Sequence, residues 1–170
     1  MKIKEQLDRR IQLRPLRLKD FSQVVEWSRD MEFCFANGWE PSREKEELYQ
    51  WWANCVNGTT DHFLRIGIEY EGRLIGYADL ADIRYGMAEF GIAIGERALW
   101  GKGMAPVAAR KLLSYAKETL GIDKVFAETH QTNHRSRKML EKLGFQEVSR
   151  NGKEIYLGEE TALIQYEKLL

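Results

Sequence analysis

Between Ala88 and Leu120 an alternating apolar run passes through Trp100-Gly101-Lys102-Gly103 into a long apolar stripe at helical spacing, and this stretch constrains the fold most. Ala88, Phe90, Ile92 and Ile94 alternate with Glu89, Gly91 and Ala93, the period of a strand with one bulky face. Its other face is nearly bare apart from a carboxylate. Met104, Ala108, Leu112, Ala116 and Leu120 then recur one turn apart, with Ala105, Ala109 and Leu113 widening the stripe into a core-facing helix. Pro106 suits the first turn of that helix, where an N–H would have had no intrahelical partner. A helix of this length carries the chain back over a sheet. The next apolar run, Lys124-Val125-Phe126-Ala127-Glu128, is therefore expected parallel to the Glu89 strand by a right-handed crossover.

The rest of the chain supplies the sheet and its other covering. After a polar leader, Ile11 to Leu16 reads as a first strand, and Pro15 places it at an edge. Asp20 is expected to cap a helix carrying Phe21, Val24, Val25 and Ser28 on one face, and Ser42 a second carrying Leu48, Trp51, Trp52 and Cys55. Between them lies a broken aromatic segment with Phe33, Phe35 and Trp39. Phe63–Tyr70 and Arg73–Leu80 flank Glu71-Gly72, a two-residue hairpin signal, and Tyr85-Gly86 turns the chain into the Glu89 strand. Asn133 caps a short helix that Gly144 ends, with Phe145 closing its hydrophobic side. Asn151-Gly152 is expected to turn a last hairpin before a strand from Ala162 to Leu169. The fold class is α/β (α+β): a mixed, mostly antiparallel twisted sheet with helices on both faces and a central parallel pair, in one domain spanning 1–170. Ligands of such sheets bind where neighbouring strands part at their carboxyl ends, here between the Glu89 and Val125 strands.

Glycines around Lys102 at a helix start leave room for backbone N–H groups to converge on a phosphate at the positive end of the helix dipole. A nucleoside-triphosphate loop does not fit, because Gly95 and Gly101 are one residue too far apart and Gly103 stands where a magnesium-binding hydroxyl is needed. A dinucleotide fingerprint fails at Pro106, where a third glycine is required. A tight strand-to-helix connection without a ligand remains open on these residues alone.

Charge and composition narrow the partners. Lys+Arg and Asp+Glu are equal at 26 each, so no global field recruits nucleic acid or an anionic membrane. No apolar run reaches the ~18 residues of a membrane helix, and no secretory leader follows Met1, which predicts a cytoplasmic protein. Cys34 and Cys55 are then expected to stay reduced, and His62, His130 and His134 lack the spaced acids and cysteines of a metal site.

Downstream of the glycines stand Asn133-His134-Arg135-Ser136 and Glu141-Lys142-Leu143-Gly144-Phe145. G-x-G before the long helix, followed by N-x-x-S and E-K-x-G-F, resembles the GNAT superfamily of acyl-CoA-dependent N-acetyltransferases. Within it the chain looks most like the branch of ribosomal-protein N-terminal and small-amine acetyltransferases. The likeness runs from Leu13-Arg14-Pro15-Leu16 and Asp20 to the last strand. It implies acetyl-CoA as co-substrate, with no metal, and direct transfer to a primary amine on a small molecule or peptide N-terminus, by a monomer or homodimer. The residues carried over to the coenzyme are Ile92, Ile94, Trp100, Gly101, Lys102, Gly103, Met104, Ala105, Asn133, Ser136 and Arg137. Gly91 and Ala93 leave space for a pantetheine arm.

Acetyl transfer needs the amine deprotonated, the carbonyl oxygen stabilised and the leaving thiolate accommodated. Glu89 matches the superfamily's base position and Glu96 is the runner-up; the alternative for Glu89 is a surface strand glutamate. The tyrosine that often protonates the thiolate is replaced by Leu140, leaving Ser136 one turn earlier as donor or simply as a first-turn helix residue. Phe33, Trp39 and Tyr77 with Asp79 are expected at a cationic acceptor, although aromatic stripes at this spacing also build cores. The rival reading is a non-catalytic acyl-CoA-binding module, for which the missing tyrosine speaks.

Overall fold

The computed structural model describes residues 2–170. Strands β1 (Ile11–Arg14), β2 (Leu64–Tyr70), β3 (Arg73–Arg84), β4 (Met87–Ile94), β5 (Lys124–His130), β6 (Gln146–Ser149), β7 (Lys153–Tyr156) and β8 (Glu159–Leu169) form one sheet. Its order is β1-β2-β3-β4-β5-β8-β6, with β7 also on β8. Among the described residues β4–β5 is the parallel pair, joined by the crossover through α5 (Met104–Glu118), and the other pairings are antiparallel.

Helices cover both faces because the strands carry apolar residues on both. α5 and α6 (His134–Lys142) close a first core over Ala88, Phe90, Val125, Ala127 and Ile164, sealed by Leu112, Ala116 and Leu140. α2 (Phe21–Arg29), α3 (Met31–Asn37) and α4 (Lys45–Asn57) close a second, aromatic core over Leu74, Tyr77 and Ala93. The polar leader forms a helix, α1 (Lys2–Arg10), whose Leu7 packs on the first core.

Three tight hairpins share one chemistry. Glu71-Gly72, Tyr85-Gly86 and Leu157-Gly158 each place two successive residues at positive φ, between 51° and 83°, which matches the twist of paired strands. The third corrects the expected Asn151-Gly152 hairpin. That dipeptide lies where the chain passes from β6 to β7, both paired to the same β8, and is held there by Leu163 N–H to Gly152 O at 3.0 Å. An apolar first turn residue, Leu157, hid the true turn.

The helix starts also differ from expectation. Ser42 does not cap α4; it sits at φ 56° and the helix begins at Lys45. The Asp20 carboxylate does not cap α2; it accepts from Arg17 N at 2.9 Å and from Arg14 at 2.9 and 2.8 Å, tying β1 to the helix layer. The aromatic segment contains α3, capped by Asp30 Oδ1 and ended at Gly38 in the left-handed region.

Candidate active site

The central pair opens into a cleft. β4 and β5 are registered only at Met87–Lys124, Ala88–Val125 and Glu89–Phe126, and beyond this the strands separate. The end of β4 is held to the β3 side: Gly95 N–H donates to Ile75 O at 2.8 Å, and Gly95 lies so close under the Trp27 indole that any Cβ would overlap it. Trp100 then folds back, its Nε1–H bonding Ile94 O at 2.7 Å. Strand backbone facing the gap has lost its sheet partner, so it is available to a ligand.

The turn into α5 is a cradle of amides. Gly101 and Gly103 adopt φ 73° and 85°, a conformation that disfavours any other residue. Lys102 N–H bonds Leu99 O at 3.3 Å, whereas among the described residues the amides of Gly101, Gly103, Met104 and Ala105 have no protein acceptor. They stand at the positive end of a 15-residue helix. A cavity of about 530 Å³ lies against them, bounded across the gap by α6 with Arg135, Ser136, Lys138 and Lys142. The Arg135 guanidinium stacks 3.8 Å from the Trp100 ring centroid, so the cradle has a fixed cation beside its amides.

A second cavity, of about 410 Å³, continues the first between the splayed strands. Asn37, Ile92, Asn133, Ser136 and Met139 line both, which puts Ser136 at their junction. Asn133 Oδ1 accepts from Ser136 N at 3.1 Å, so Asn133 caps α6 and fixes where Ser136 sits. The Ser136 hydroxyl itself has no protein partner among the described residues. The wall beyond carries Glu128, His130, Glu154 and Tyr156.

Residues 10–146 match the family described as Acetyltransferase (GNAT) domain. The chain belongs to the GNAT acetyltransferase family. It is 28% identical over 151 residues to alpha/beta-tubulin-N-acetyltransferase 9 of Homo sapiens, covering 85% of this chain and 63% of that protein. It spans less than two thirds of the length of the curated relatives it matches. Among solved structures, a probable acetyltransferase superposes with TM-score 0.77 at 25% identity, covering 94% of this chain and 93% of the other. The spermidine N-acetyltransferase of Vibrio cholerae, in complex with CoA and spermine, superposes at TM-score 0.80 and 22% identity, over 94% and 95% of the two chains.

Within this GNAT domain the expected site residues separate into those at the clefts and those elsewhere. Ile92, Ile94, Trp100, Gly101, Gly103, Met104, Ala105, Asn133 and Ser136 all line the cleft at the cradle. Lys102 and Arg137 fall outside its lining; Arg137 turns away to donate to Gln131 O at 3.1 Å. Glu89 is exposed at the last registered pair before the strands part, opposite Ala81 and Phe126, and Glu96 faces Arg73 at 3.5 Å; neither lines either cavity.

The acceptor residues expected from the aromatics are committed to the second core. Phe33 is fully buried, and Tyr77 accepts from Trp39 Nε1 at 3.0 Å. Burial pushes the Tyr77 phenol up to about 12, only partly offset by that indole bond and by Arg65. Asp79 takes a two-pronged bond from Arg65, both contacts at 2.7 Å, which engages both of its oxygens within the fold. Phe35, 52% exposed, is the aromatic of this segment that does reach the inner cavity. His130, Glu154 and Tyr156 were not legible as site residues, since β7 is brought to the cleft by pairing with β8 and no local pattern signals that. Among the described residues no cluster of His, Cys, Asp and Glu could hold a metal ion, and no helix is long and apolar enough to cross a membrane. Cys34 and Cys55 are free thiols.

Proposed function

We propose that this protein transfers an acetyl group from acetyl-CoA directly to a primary amine, with both substrates bound together. The observation that carries the reading is the set of unpartnered amides of Gly101, Gly103, Met104 and Ala105 at the head of α5, opening on a cavity continuous with the gap between β4 and β5. The amides and Arg135 suit a pyrophosphate, and the gap suits an extended pantetheine arm that bonds exposed β4 backbone. This puts the thioester near Ser136, whose free hydroxyl can donate to the departing sulfur, and the amine in the inner cavity. Two cavities meeting at one point favour direct transfer, since neither Cys34 nor Cys55 lines them.

The acceptor class follows from the inner wall. Glu128 and Glu154 with Phe35 and Tyr156 present negative and aromatic surface to a cationic amine. A polyamine and a protein amine, the substrates named for the spermine-bound neighbour and the tubulin acetyltransferase, are the first candidates. Calorimetry with acetyl-CoA, followed by thiol release over a panel of polyamines, amino sugars and peptide N-termini, tests the reading. Saturable coenzyme binding with amine-dependent thiol release supports it. Absence of coenzyme binding overturns it, and binding without turnover on any amine favours the non-catalytic module, to which the buried Leu140 at the usual tyrosine position points.

A further inference from the structure

The inner cavity contains a paired base that neither the family motif nor the strand glutamates account for. His130, the last residue of β5, places Nε2 at 3.0 Å from Glu154 Oε2 on β7, and its ring stacks on Tyr156 at 4.3 Å between centroids with an 11° tilt. The backbone around it is fixed as well: His130 O accepts from Asn133 N at 2.9 Å, and His130 lies opposite Leu163 of β8. The imidazole is therefore held by strand pairing, stacking and a carboxylate, on a side chain 21% exposed.

We infer that His130, oriented by Glu154, is the general base that removes the proton from the acceptor ammonium. The inference deepens the acetyltransferase reading above and rests on it. With the Glu154 carboxylate accepting, the Nε2–H is the donor and Nδ1 carries the free lone pair; no described residue bonds Nδ1. An ammonium in the cavity gives one proton to Nδ1 and keeps its electron pair, which forms the new N–C bond to the acetyl carbon. The C–S bond breaks with its electrons on sulfur, and the second proton lost by the nitrogen passes to that sulfur. His130 returns its proton to solvent, so one amide, one thiol and one proton leave per cycle. The charged and titratable groups facing the imidazole are Glu154 and Tyr156 from β7 and Glu128 on β5, with Arg135 of α6 acting on Tyr156. Of these, Glu128 is bonded by Gln165 at 2.7 Å, and burial raises the Tyr156 phenol, so it stays neutral.

The test compares His130→Gln, Glu154→Gln and Glu89→Gln in the full chain for coenzyme affinity by calorimetry and for kcat/KM against pH, using the best amine of the panel. In parallel, the His130 imidazole of the unsubstituted and Glu154→Gln proteins is titrated by NMR without coenzyme. The expected result is unchanged acetyl-CoA affinity, a fall of about 10²- to 10⁴-fold in kcat/KM for His130→Gln, and loss of the acidic limb of the pH profile. Added imidazole should partly restore His130→Ala. In Glu154→Gln kcat/KM should fall with acetyl-CoA affinity unchanged, because the carboxylate that orients the imidazole is gone, and the limb should still coincide with that protein's own NMR midpoint. The assignment is overturned if His130→Gln keeps the limb and stays within about twofold of the parent. It is equally overturned if Glu89→Gln alone removes the limb, or if limb and midpoint differ in Glu154→Gln. Failure of the parent protein to bind coenzyme would instead strike the acetyltransferase reading.

Discussion

Replacing Asp79 separates a structural carboxylate from a substrate-binding one. Arg65 reaches it through two N–H groups at 2.7 Å, and both side chains are 19% exposed. The guanidinium also lies 4.7 Å from the Tyr77 ring centroid and donates to Cys55 Sγ at 3.3 Å, so it cannot swing out to water without breaking packing. Asp79→Ala strands that cation. Removing one partner of a buried pair costs ~3–5 kcal/mol, and residual solvent access puts this one near the low end, ~3 kcal/mol. For a chain of this size that is roughly 6–12 °C in Tm. Urea unfolding should show the loss, and an Arg65→Met, Asp79→Leu double variant should recover most of it, since two apolar groups leave no charge unpaired. The amine KM should not change in variants that remain folded. A stability loss under ~1 kcal/mol, the value of an exposed pair, would refute the structural role. An amine KM raised at constant Tm would return Asp79 to the acceptor site.

Other consequences can be measured separately. The Tyr77 phenol, 8% exposed and pushed up to about 12 by burial, binds its proton more tightly in the folded chain, so its contribution is complete below pH ~10 and lost as pH rises towards 12. Urea unfolding should weaken over that window by on the order of 2 kcal/mol in excess of a Tyr77→Phe variant; parallel slopes would contradict it. Gly95→Ala drives a Cβ into the Trp27 indole and should destabilise by about 1–3 kcal/mol, relieved when Trp27 is shortened to Leu. Arg135→Met should weaken acetyl-CoA by roughly fivefold at low salt, about 1 kcal/mol, and by less at high salt, whereas Arg137→Met should leave calorimetric affinity unchanged. Ser136→Ala should lower kcat by less than about tenfold, because a thiolate leaves readily and the hydroxyl contributes one hydrogen bond of about 1 kcal/mol; a larger fall would make it indispensable.

Local chemistry explains which parts of the cleft could be read in advance. Gly101 and Gly103 announce a left-handed turn at a helix start, and Asn133 announces a cap, so the amide cradle is written in contiguous residues. The aromatics from Phe33 to Trp52 carry the same helical spacing whether they face a substrate or a core. Only the packing of α2, α3 and α4 on β3 decided that Phe33, Trp39 and Tyr77 face inward. Lys102 and Arg137 looked suitable by proximity to the motif. Arg137 is instead drawn to the Gln131 carbonyl and Lys102 lies outside the cleft lining, where Arg135, Lys138 and Lys142 stand.

Periodicity, turn glycines and caps determined from the sequence alone the parallel crossover, the opening between two strands and the amide-lined helix start, because each depends on residues within one or two turns of one another. Tertiary structure decided which charged side chains meet. His130 and Glu154 are 24 residues apart and meet only because β7 folds back on β8 beside β5, and Asp79 is neutralised by Arg65 from the neighbouring strand. Strand pairing across such separations is set by the global register of the sheet, and no window of local sequence contains that information.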